Sequence, residues 1–348
     1  MPAKLKTAVL GATGYSGVEL TRLLLHHPCL DRPALLRREN GSSGIADLAD
    51  TFPSLSGNGG YPLQPLSWPA LKQQGIELLF LATPHQVSRS LVPEAIALGL
   101  RVIDLSGAWR LQQEQHRAVY GFTDADSVTA DELTKKAVYG LPELNGDRIP
   151  QAALVANPGC YATSVILALA PLLRAGMVDR ERGIISDSKS GVSGAGKEPT
   201  SRTHFVSVAD NFSAYSVFNH RHVGEMVEQL GLGSEELVFT PHLLPIPRGI
   251  LSTVYVFFNR AVKAAEVESC FREFYEGRRW VRVFATPQLP QIQFSLHTNH
   301  CDLGFCLAED GRRLVLVSCV DNLLKGAAGQ AVQNMNLMYG WNEEEGLQ

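Results

Sequence analysis

The chain has 348 residues, 45% of them hydrophobic and 19% charged, and its net charge is −4 at pH 7. This composition predicts a globular protein with room for two domains, and its slight acidity excludes the basic surface typical of nucleic-acid binders. Because no run of about 18 apolar residues and no signal peptide is present, the sequence predicts a cytoplasmic protein without a membrane span. The six cysteines lack the spacing of a disulfide framework or a structural zinc site, which favours a reducing compartment.

The first thirty residues carry a pattern typical of a dinucleotide-binding fold. A β-prone run over 6–10 leads into a glycine-rich turn and then into helical periodicity over 18–25. The turn has GxxGxxG spacing, in which small residues let a pyrophosphate approach the N–H groups at a helix start. The sequence therefore predicts a cofactor site formed by Gly11, Thr13, Gly14, Tyr15, Ser16 and Gly17.

The second predicted strand, 33–36, ends in Arg37 and Arg38, at a position where NAD-specific folds usually carry an acidic residue. Glu39 follows slightly later. The two arginines, with Ser42 and Ser43 beyond them, suit a ribose 2′-phosphate, so the pattern favours NADPH over NADH. The alternative interpretation is a solvated loop with incidental charge.

Further strands predicted over 76–82 and 101–105 alternate with helices, one of them from about Ser88 to Leu98. This alternation indicates a doubly wound parallel sheet, whose ligands lie beyond the carboxyl ends of the strands. The loops after both strands, one containing His85 and the other Ser106, are therefore expected to face the cofactor. His85 itself is interpreted as a loop residue.

The second half of the chain is organised around Cys160. A β-prone run over 153–156 meets an Asn-Pro-Gly breaker, and an apolar pattern over 162–173 then has helical spacing. Cys160 is therefore predicted to open a helix, where N–H groups and the helix dipole stabilise a thiolate nucleophile. The alternative, a small buried hydrophobic residue, is the interpretation kept for the other five cysteines.

His220-Arg221-His222 lies at the start of another apparent helix. Thiolate chemistry needs a proton donor near neutral pH, so an acid/base role is favoured, although one of the two histidines can be purely structural. No third ligand accompanies the His-x-His pair, and no metal is expected. The stretch 188–197, with Ser193 and Gly194, is not a P-loop, but its glycines and hydroxyls suit a phosphate or a nicotinamide.

The predicted fold is α/β: a doubly wound parallel dinucleotide-binding sheet with a second α+β catalytic domain that contains a largely antiparallel sheet. Runs over 236–245, 250–258, 281–284 and 313–319 predict strands of the second sheet, and 321–338 predicts a helix. The domains are placed at 1–156 and 157–320, with the C-terminal helix of 321–348 expected to pack back on the first domain.

Several motifs follow one another in the order found in N-acetyl-gamma-glutamyl-phosphate reductases, a family related to the aspartate-semialdehyde dehydrogenases. They are Gly11-Ala-Thr-Gly-Tyr-Ser-Gly17, Asp104-Leu-Ser106, Asn157-Pro-Gly-Cys-Tyr161, Ser190-Gly-Val-Ser-Gly-Ala-Gly196, His220-Arg-His222, Phe239-Thr-Pro-His-Leu-Leu244, Pro247-Arg-Gly249 and Asp321-Asn-Leu-Leu-Lys-Gly326. The resemblance runs from residue 7 to about 338 and implies NADPH-dependent reduction of an acyl phosphate to N-acetylglutamate semialdehyde and phosphate, in arginine biosynthesis.

The resemblance also implies roles for particular residues. Cys160 is expected to form a thioester, and His222 is preferred as the acid/base with His220 binding substrate, although the sequence does not assign the two roles. Cofactor contacts are expected to extend to Ser106, Ser193, Gly194 and Asn322, and substrate contacts to Arg110, Asn157, Arg202, Arg221 and Arg248. Arg110 is the candidate for the phosphate, and the last three arginines compete for the carboxylate. A homodimer or homotetramer is expected.

Two other functions remain open from the sequence. The first is reduction of another acyl phosphate, aspartyl or carrier-bound aminoadipyl, which would leave the fold and the chemistry unchanged; the His-Arg-His segment favours the acetylglutamyl substrate. The second is a non-catalytic protein that senses NADP. The presence of Cys160 and the histidine pair weighs against a sensor, because a sensor needs neither.

Overall fold

The computed structural model describes residues 4–38, 46–55 and 60–347, and these form two compact units. Unit 1 holds the described residues of Met1–Gln112, Tyr120–Pro158 and Ala327–Gln348, and unit 2 holds Gln113–Val119 and Gly159–Gly326. Glu39, Ser42 and Ser43, which enter the prediction of a 2′-phosphate site, lie outside the described residues.

In chain order the strands are β1 (Thr7–Leu10), β2 (Ala34–Arg37), β3 (Leu63–Pro65), β4 (Leu78–Leu81), β5 (Arg101–Asp104), β6 (Val138–Tyr139), β7 (Leu154–Ala156), β8 (Ile184–Gly191), β9 (Ser213–Ala214), β10 (Leu237–Leu244), β11 (Ile250–Phe257), β12 (Val281–Val283), β13 (Cys301–Leu307) and β14 (Arg313–Val320). The α-helices are α1 (Tyr15–His26), α2 (Leu48–Thr51), α3 (Trp68–Gln74), α4 (His85–Ala97), α5 (Glu114–Arg117), α6 (Ser127–Lys136), α7 (Pro142–Asn145), α8 (Cys160–Arg174), α9 (Phe205–Val208), α10 (Val223–Leu230), α11 (Ala264–Phe274), α12 (Ile292–Ser295) and α13 (Ala328–Met338).

Unit 1 is built on a parallel sheet of order β3-β2-β1-β4-β5-β7-β6, which confirms the predicted doubly wound architecture. Strands β1, β4 and β5 are buried almost completely, as their continuous apolar sequences predict for the middle of a parallel sheet. Trp109 fills the core beside the sheet and is 1% exposed. The carboxyl ends of these strands lead into the glycine-rich turn and into the loop of Ser106.

Two predicted helix starts, one in the first half of the chain and one near its C-terminus, are wrong. Helix α4 begins at His85 rather than near Ser88, because the Pro84 carbonyl already accepts bonds from the N–H groups of Val87 and Ser88. His85 is therefore a helical residue and not a loop residue.

The C-terminal helix, α13, begins at Ala328 rather than at Asp321. The Asp321 carboxylate accepts bonds from the N–H groups of Leu323 and Leu324, which holds this stretch in a turn. Helix α13 packs against α1 within unit 1, where His27 Nε2 lies 2.9 Å from Asn336 Oδ1.

Unit 2 is built on a mixed sheet of order β12-β13-β14-β11-β8-β10-β9. Most of its neighbours are antiparallel, but β8 pairs in parallel with β10 and β12 pairs in parallel with β13. This agrees with the predicted largely antiparallel sheet. Helix α8 packs on β11 and β14, and the predicted helix start at Cys160 is confirmed.

The buried face of this sheet carries serines where apolar side chains are usual. Ser164 of α8 places its Oγ 2.9 Å from that of Ser252 and 3.0 Å from that of Ser318, and Ser188 Oγ lies 2.8 Å from Ser252 Oγ. All four residues are buried. Because the hydroxyls bond to one another, the helix meets the sheet through a polar network that is satisfied internally.

None of the helices within the described ranges combines the length and the apolar character that crossing a membrane requires.

Candidate active site

The glycine-rich turn of unit 1 connects β1 to α1 and requires glycine at two positions. Gly11 has φ +94°, and a Cβ there would lie 2.3 Å from the Ala82 carbonyl oxygen. A Cβ on Gly17 would lie 2.1 Å from the Gly11 carbonyl oxygen. Gly14 caps α1 without a side chain, and the nearest atom to a Cβ there would be 3.6 Å away. The N-terminal N–H groups of α1 are thus approachable by an anion, which fits the pyrophosphate predicted here.

A second predicted loop of unit 1 follows β5. Ser106 Oγ donates to the Asp104 carboxylate at 2.7 Å, and Arg110 donates from Nε to the Asn157 carbonyl at 2.8 Å and from Nη2 to the Leu105 carbonyl at 2.7 Å. Burial raises the pKa of Asp104, and the bonds from Ser106 and the charge of Arg110 oppose that rise. Asn157 is fully buried, donating to the Ala327 carbonyl and accepting from Asn334. These side chains fix the loop.

Cys160 is the first residue of α8 and is partly buried. The preceding N-cap residue, Gly159, has no side chain to bond to the first N–H groups of the helix. These groups and the helix dipole therefore act on whatever charge lies at the Cys160 sulfur. Gly326 lies against the cysteine, since a Cβ there would be 2.8 Å from Cys160 Cβ.

His222 lies directly against the residue before the cysteine. A Cβ on Gly159 would be 2.5 Å from His222 Nε2, so only glycine leaves room for this imidazole. The Glu225 carboxylate is fully buried; its Oε2 accepts the Gly159 N–H at 2.9 Å, and its Oε1 lies 3.9 Å from His222 Nε2. Glu225 thus links the start of α8 to the histidine.

His220 has a different environment. Its ring packs edge-on against Tyr161, Tyr215 and Phe239 at centroid distances of 5.4–5.6 Å. Its Nδ1 accepts the backbone N–H of His222 at 3.1 Å. Burial, with a contribution from the charge of Arg221, lowers the pKa of His220 to about 4. His220 is therefore neutral near pH 7, whereas His222 lies next to a carboxylate.

These groups line one cavity of about 410 Å³ in unit 2. Its walls include Cys160, Tyr161, Ser190, Gly194, Arg202, Tyr215, His220, Arg221 and His222. Arg202 and Arg221 are exposed at the cavity and are placed to meet an anion. The structure thus brings together the predicted nucleophile, both predicted histidines and two of the predicted arginines.

Three other predicted site residues of unit 2 lie in a network beside this cavity. Asn322 donates to Ser193 Oγ at 2.9 Å and accepts the Gly249 N–H at 2.7 Å. Arg248 contacts His297 Nδ1 at 3.0 Å and lies 3.5 Å from the Asp321 carboxylate, and it does not line the cavity. Asn322 therefore holds the glycine-rich loop of Ser193 in place, and Arg248 is occupied by its neighbours.

Two features of the site were missed by reasoning from sequence. Glu225 lies three residues after His222 in an amphipathic helix, where an acidic residue is ordinarily on the solvent side. The segment Gln113–Val119 contributes Val119 to the cavity, although it lies some forty residues before Cys160 in the chain. In the sequence, the only indication of a role for the Glu225 carboxylate is its position three residues after a candidate histidine.

No group of at least three His, Cys, Asp or Glu side chains suited to a metal occurs among the described residues.

Two family models match the chain: Semialdehyde dehydrogenase, NAD binding domain, over residues 6–152, and Semialdehyde dehydrogenase, dimerisation domain, over residues 160–322. Among solved structures, aspartate semialdehyde dehydrogenase II of Vibrio cholerae gives a TM-score of 0.71 at 19% identity and covers 97% of this chain and 98% of that one. Aspartate semialdehyde dehydrogenase of Candida albicans, solved with NADP, gives a TM-score of 0.69 at 17% identity with the same coverage. The dinucleotide-binding unit and the cysteine unit therefore define an oxidoreductase of the semialdehyde dehydrogenase class, with a nicotinamide dinucleotide as cofactor.

Two relatives narrow the class. The N-acetyl-gamma-glutamyl-phosphate reductase of Desulfotalea psychrophila is 43% identical over 348 residues, which cover 99% of this chain and 98% of the relative. The enzyme of the same name from Bacillus subtilis is 41% identical over 349 residues with the same coverage. The chain belongs to the N-acetyl-gamma-glutamyl-phosphate reductase family, as the succession of motifs predicts.

Proposed function

We propose that the protein reduces N-acetyl-gamma-glutamyl phosphate to N-acetylglutamate semialdehyde and phosphate with NADPH, as a step of arginine biosynthesis in the cytoplasm. The observation that carries this proposal is the cavity in which Cys160, at the start of a helix, shares its walls with two histidines and two arginines. The names of the full-length relatives supply the substrate.

The reaction begins at Cys160. Its thiolate, stabilised by the start of α8, attacks the carbonyl carbon of the acyl phosphate, a C–S bond forms, and phosphate leaves with the electrons of the C–O bond. When bound, NADPH supplies the hydride that reduces the resulting thioester. The thiohemiacetal on Cys160 then loses its hydroxyl proton, the C–S bond breaks, and the aldehyde and the thiolate are released.

His222 is the proposed acid/base residue. It lies against Gly159, the residue before Cys160, and the buried Glu225 carboxylate lies 3.9 Å from its Nε2. It donates a proton to the thiohemiacetal oxygen and removes that proton during collapse. His220, whose pKa of about 4 keeps it neutral, is proposed to bind substrate.

Arginines supply the proposed anion contacts. Arg202 and Arg221 line the cavity and are the proposed partners of the substrate carboxylate. Arg248 is a weaker candidate than the sequence indicates, because Asp321 and His297 already occupy its guanidinium. Arg110 is proposed for the phosphate, but like Arg248 it is a weaker candidate than the sequence indicates, because its guanidinium is buried and already donates to the backbone carbonyls of Asn157 and Leu105.

The proposed cofactor is NADP, bound by Gly11, Thr13, Gly14, Tyr15, Ser16 and Gly17 at the start of α1. The approachable N–H groups of that helix support the pyrophosphate site. Ser106, Ser193, Gly194 and Asn322 are proposed to contact or support the rest of the cofactor. The Candida albicans relative by structure was solved with NADP.

Replacing Arg37 and Arg38 together by alanine should narrow the preference for NADPH over NADH, because β2 ends at Arg37 and both guanidinium groups are suited to a 2′-phosphate. The ratio of kcat/KM for the two cofactors measures this, with Arg182→Ala, an arginine of unit 2, as the control. If the parent enzyme uses both cofactors equally well, Arg37 and Arg38 give no support to NADP as the preferred cofactor.

The function is tested in the reverse direction, as phosphate-dependent reduction of NADP⁺ with N-acetylglutamate semialdehyde and, in parallel, aspartate semialdehyde and a carrier-bound aminoadipate semialdehyde. We expect the N-acetyl compound to be the best substrate and Cys160→Ser to abolish turnover while NADPH binding persists. If another aldehyde is turned over better, the proposed substrate becomes the acyl phosphate that corresponds to that aldehyde. No turnover of any of them, with NADPH still bound, would favour the sensor.

A homo-oligomer is also proposed. Ile185 of β8 and Tyr255 of β11 are cross-strand neighbours on the outer face of the unit 2 sheet, and they are 42% and 39% exposed. The matched family model is described as a dimerisation domain. Light scattering should give at least twice the chain mass of 37.9 kDa, and Ile185→Asp should lower that mass. A monomeric parent protein contradicts the proposal.

A further inference from the structure

The segment Gln113–Val119 leaves unit 1 and belongs to unit 2 by its contacts, although the chain on both sides of it belongs to unit 1. It contains the single turn of α5 and ends at the wall of the Cys160 cavity. One carboxylate holds it there. Glu228 Oε1 accepts the Gln113 N–H at 3.0 Å and lies 2.7 Å from His116 Nδ1.

Glu228 is itself held by its helix. Its side chain is 5% exposed, and it lies on α10, the helix that begins after His222 and also carries Glu225. A buried carboxylate bonded to a fixed N–H and to an imidazole restrains its partners more tightly than an exposed pair does. Helix α10 thus positions the acid/base histidine at one end and the segment 113–119 further along.

Val119 is the residue of this segment that lines the cavity. Most of the residues that line the cavity have polar side chains, and the aliphatic ones are Val119, Ala195 and Leu243. Leu243 is only 6% exposed and therefore has little surface left to bury, whereas Val119 is 51% exposed. Val119 is therefore the branched aliphatic side chain of the lining that has surface available to a bound apolar group.

We propose that Val119 is a specificity-determining residue that contacts the apolar part of the N-acyl group of the substrate, and that Glu228 is the residue that positions it. This inference rests on the proposed function, because the acyl group is that of the proposed substrate. A side chain that packs against an acyl group limits its length, since one methylene in a fitted apolar site changes kcat/KM by roughly 10- to 200-fold.

The test compares N-acetyl- with N-propionylglutamate semialdehyde in the phosphate-dependent reduction of NADP⁺. Val119→Ala should raise the propionyl-to-acetyl ratio of kcat/KM by about tenfold or more, because it creates room for one methylene. Val119→Leu should lower the ratio. Val128→Ala, the same change at an exposed valine of α6 in unit 1, is the matched control and should leave the ratio unaltered.

The positioning role of Glu228 is tested with separate variants. Glu228→Ala should raise the propionyl-to-acetyl ratio as Val119→Ala does, and combining the two should add little, because a released segment no longer presents Val119. His116→Ala removes one contact and should give a smaller rise. Glu228→Gln keeps an oxygen acceptor for the Gln113 N–H and should restore most of the selectivity.

The outcomes separate this inference from the proposed function. If the parent protein turns over neither acyl compound, the proposed function fails. If it turns over the acetyl compound and the Val119 variants keep the parent ratio, Val119 does not contact the acyl group and the inference alone is wrong. Additive effects of Val119→Ala and Glu228→Ala, in variants that retain the parent melting temperature, would overturn the positioning role of Glu228.

Discussion

Two neighbours contact Gly159 in different ways. Its missing side chain admits the His222 imidazole, and its N–H is taken by Glu225. The start of α8 at Cys160 and the position of the His222 imidazole therefore both depend on Gly159. The glycine of the Asn-Pro-Gly breaker thus separates β7 from α8 and also leaves room for His222, the proposed proton-transfer residue.

Substitutions of His220 and His222 should have different effects on kcat and KM. His222→Asn should lower kcat by roughly 10²–10⁴-fold with little change in KM, the usual contribution of a positioned proton-transfer group. His220→Asn should mainly raise KM, because His220 is neutral and is proposed to bind substrate. His26→Asn, at an exposed histidine of α1, is the control.

The pH profile gives an independent check on the same pair. Because the pKa of His220 is about 4, its replacement should leave the profile of kcat between pH 5.5 and 8 unchanged in shape. If His220→Asn carries the large kcat defect instead, the two roles are exchanged, and if neither variant slows turnover, this segment is not the proton relay.

At the level of elements, α8 has to satisfy two requirements at once: it presents Cys160 at its first residue and packs on the sheet of unit 2 along its length. Ser164, one turn into the helix, bonds to Ser252 and Ser318 on the sheet. A directional contact close to the Cys160 end fixes the rotation and the axial position of the helix more narrowly than apolar packing alone does.

Ser164→Ala should therefore lower the free energy of unfolding by about 1–3 kcal/mol, since it leaves buried hydroxyls of the sheet short of a partner. Urea unfolding followed by tryptophan fluorescence measures the change. Ser269→Ala, at an exposed position of α11, is the matched control and should have almost no effect. A loss no larger than that of the control would show that the serine network contributes nothing to stability.

Local patterns predict the parts of this site that depend on neighbours in sequence. The glycine turn before α1 and the helix start at Cys160 follow from strand, breaker and helix periodicity, which act over a few residues. The contributions of Glu225 and Val119 to the site cannot be predicted in this way, because they depend on residues distant in sequence. Glu225 accepts the Gly159 N–H, and Val119 lines a cavity whose other residues come from position 160 onward. The helical assignment of 321–327 is wrong for a related reason, since the Asp321 side chain competes with the helix for backbone N–H groups.

At the scale of the whole molecule, three histidines are kept neutral by the fold. Burial lowers the pKa of His27 in unit 1 and of His220 and His300 in unit 2, with the charge of Arg282 adding to the effect at His300. The values for His220 and His300 are about 4. An unfolded chain returns each histidine to a pKa of about 6.5.

This difference makes stability depend on pH in a defined direction. Between about pH 6.5 and pH 4 the unfolded state binds protons that the native state does not, so the free energy of unfolding rises with pH in that window and falls on acidification. The buried Asp104, whose pKa is raised, acts in the opposite direction, because its native carboxyl group takes up a proton more readily than the unfolded one. The contribution of a single histidine to this pH dependence is therefore obtained by comparing a variant at that histidine with the parent protein.

His300 is the best site for that comparison, because it lies outside the cavity of Cys160 and its ring packs on Trp280 at a centroid distance of 5.1 Å. His300→Gln should reduce the loss of stability between pH 7 and pH 5, since the unfolded variant no longer gains a proton at this position. Urea midpoints at the two pH values measure the loss, and His26→Gln, at an exposed histidine, should lose as much as the parent protein. An equally steep loss in His300→Gln would show that burial of this imidazole does not contribute to acid sensitivity.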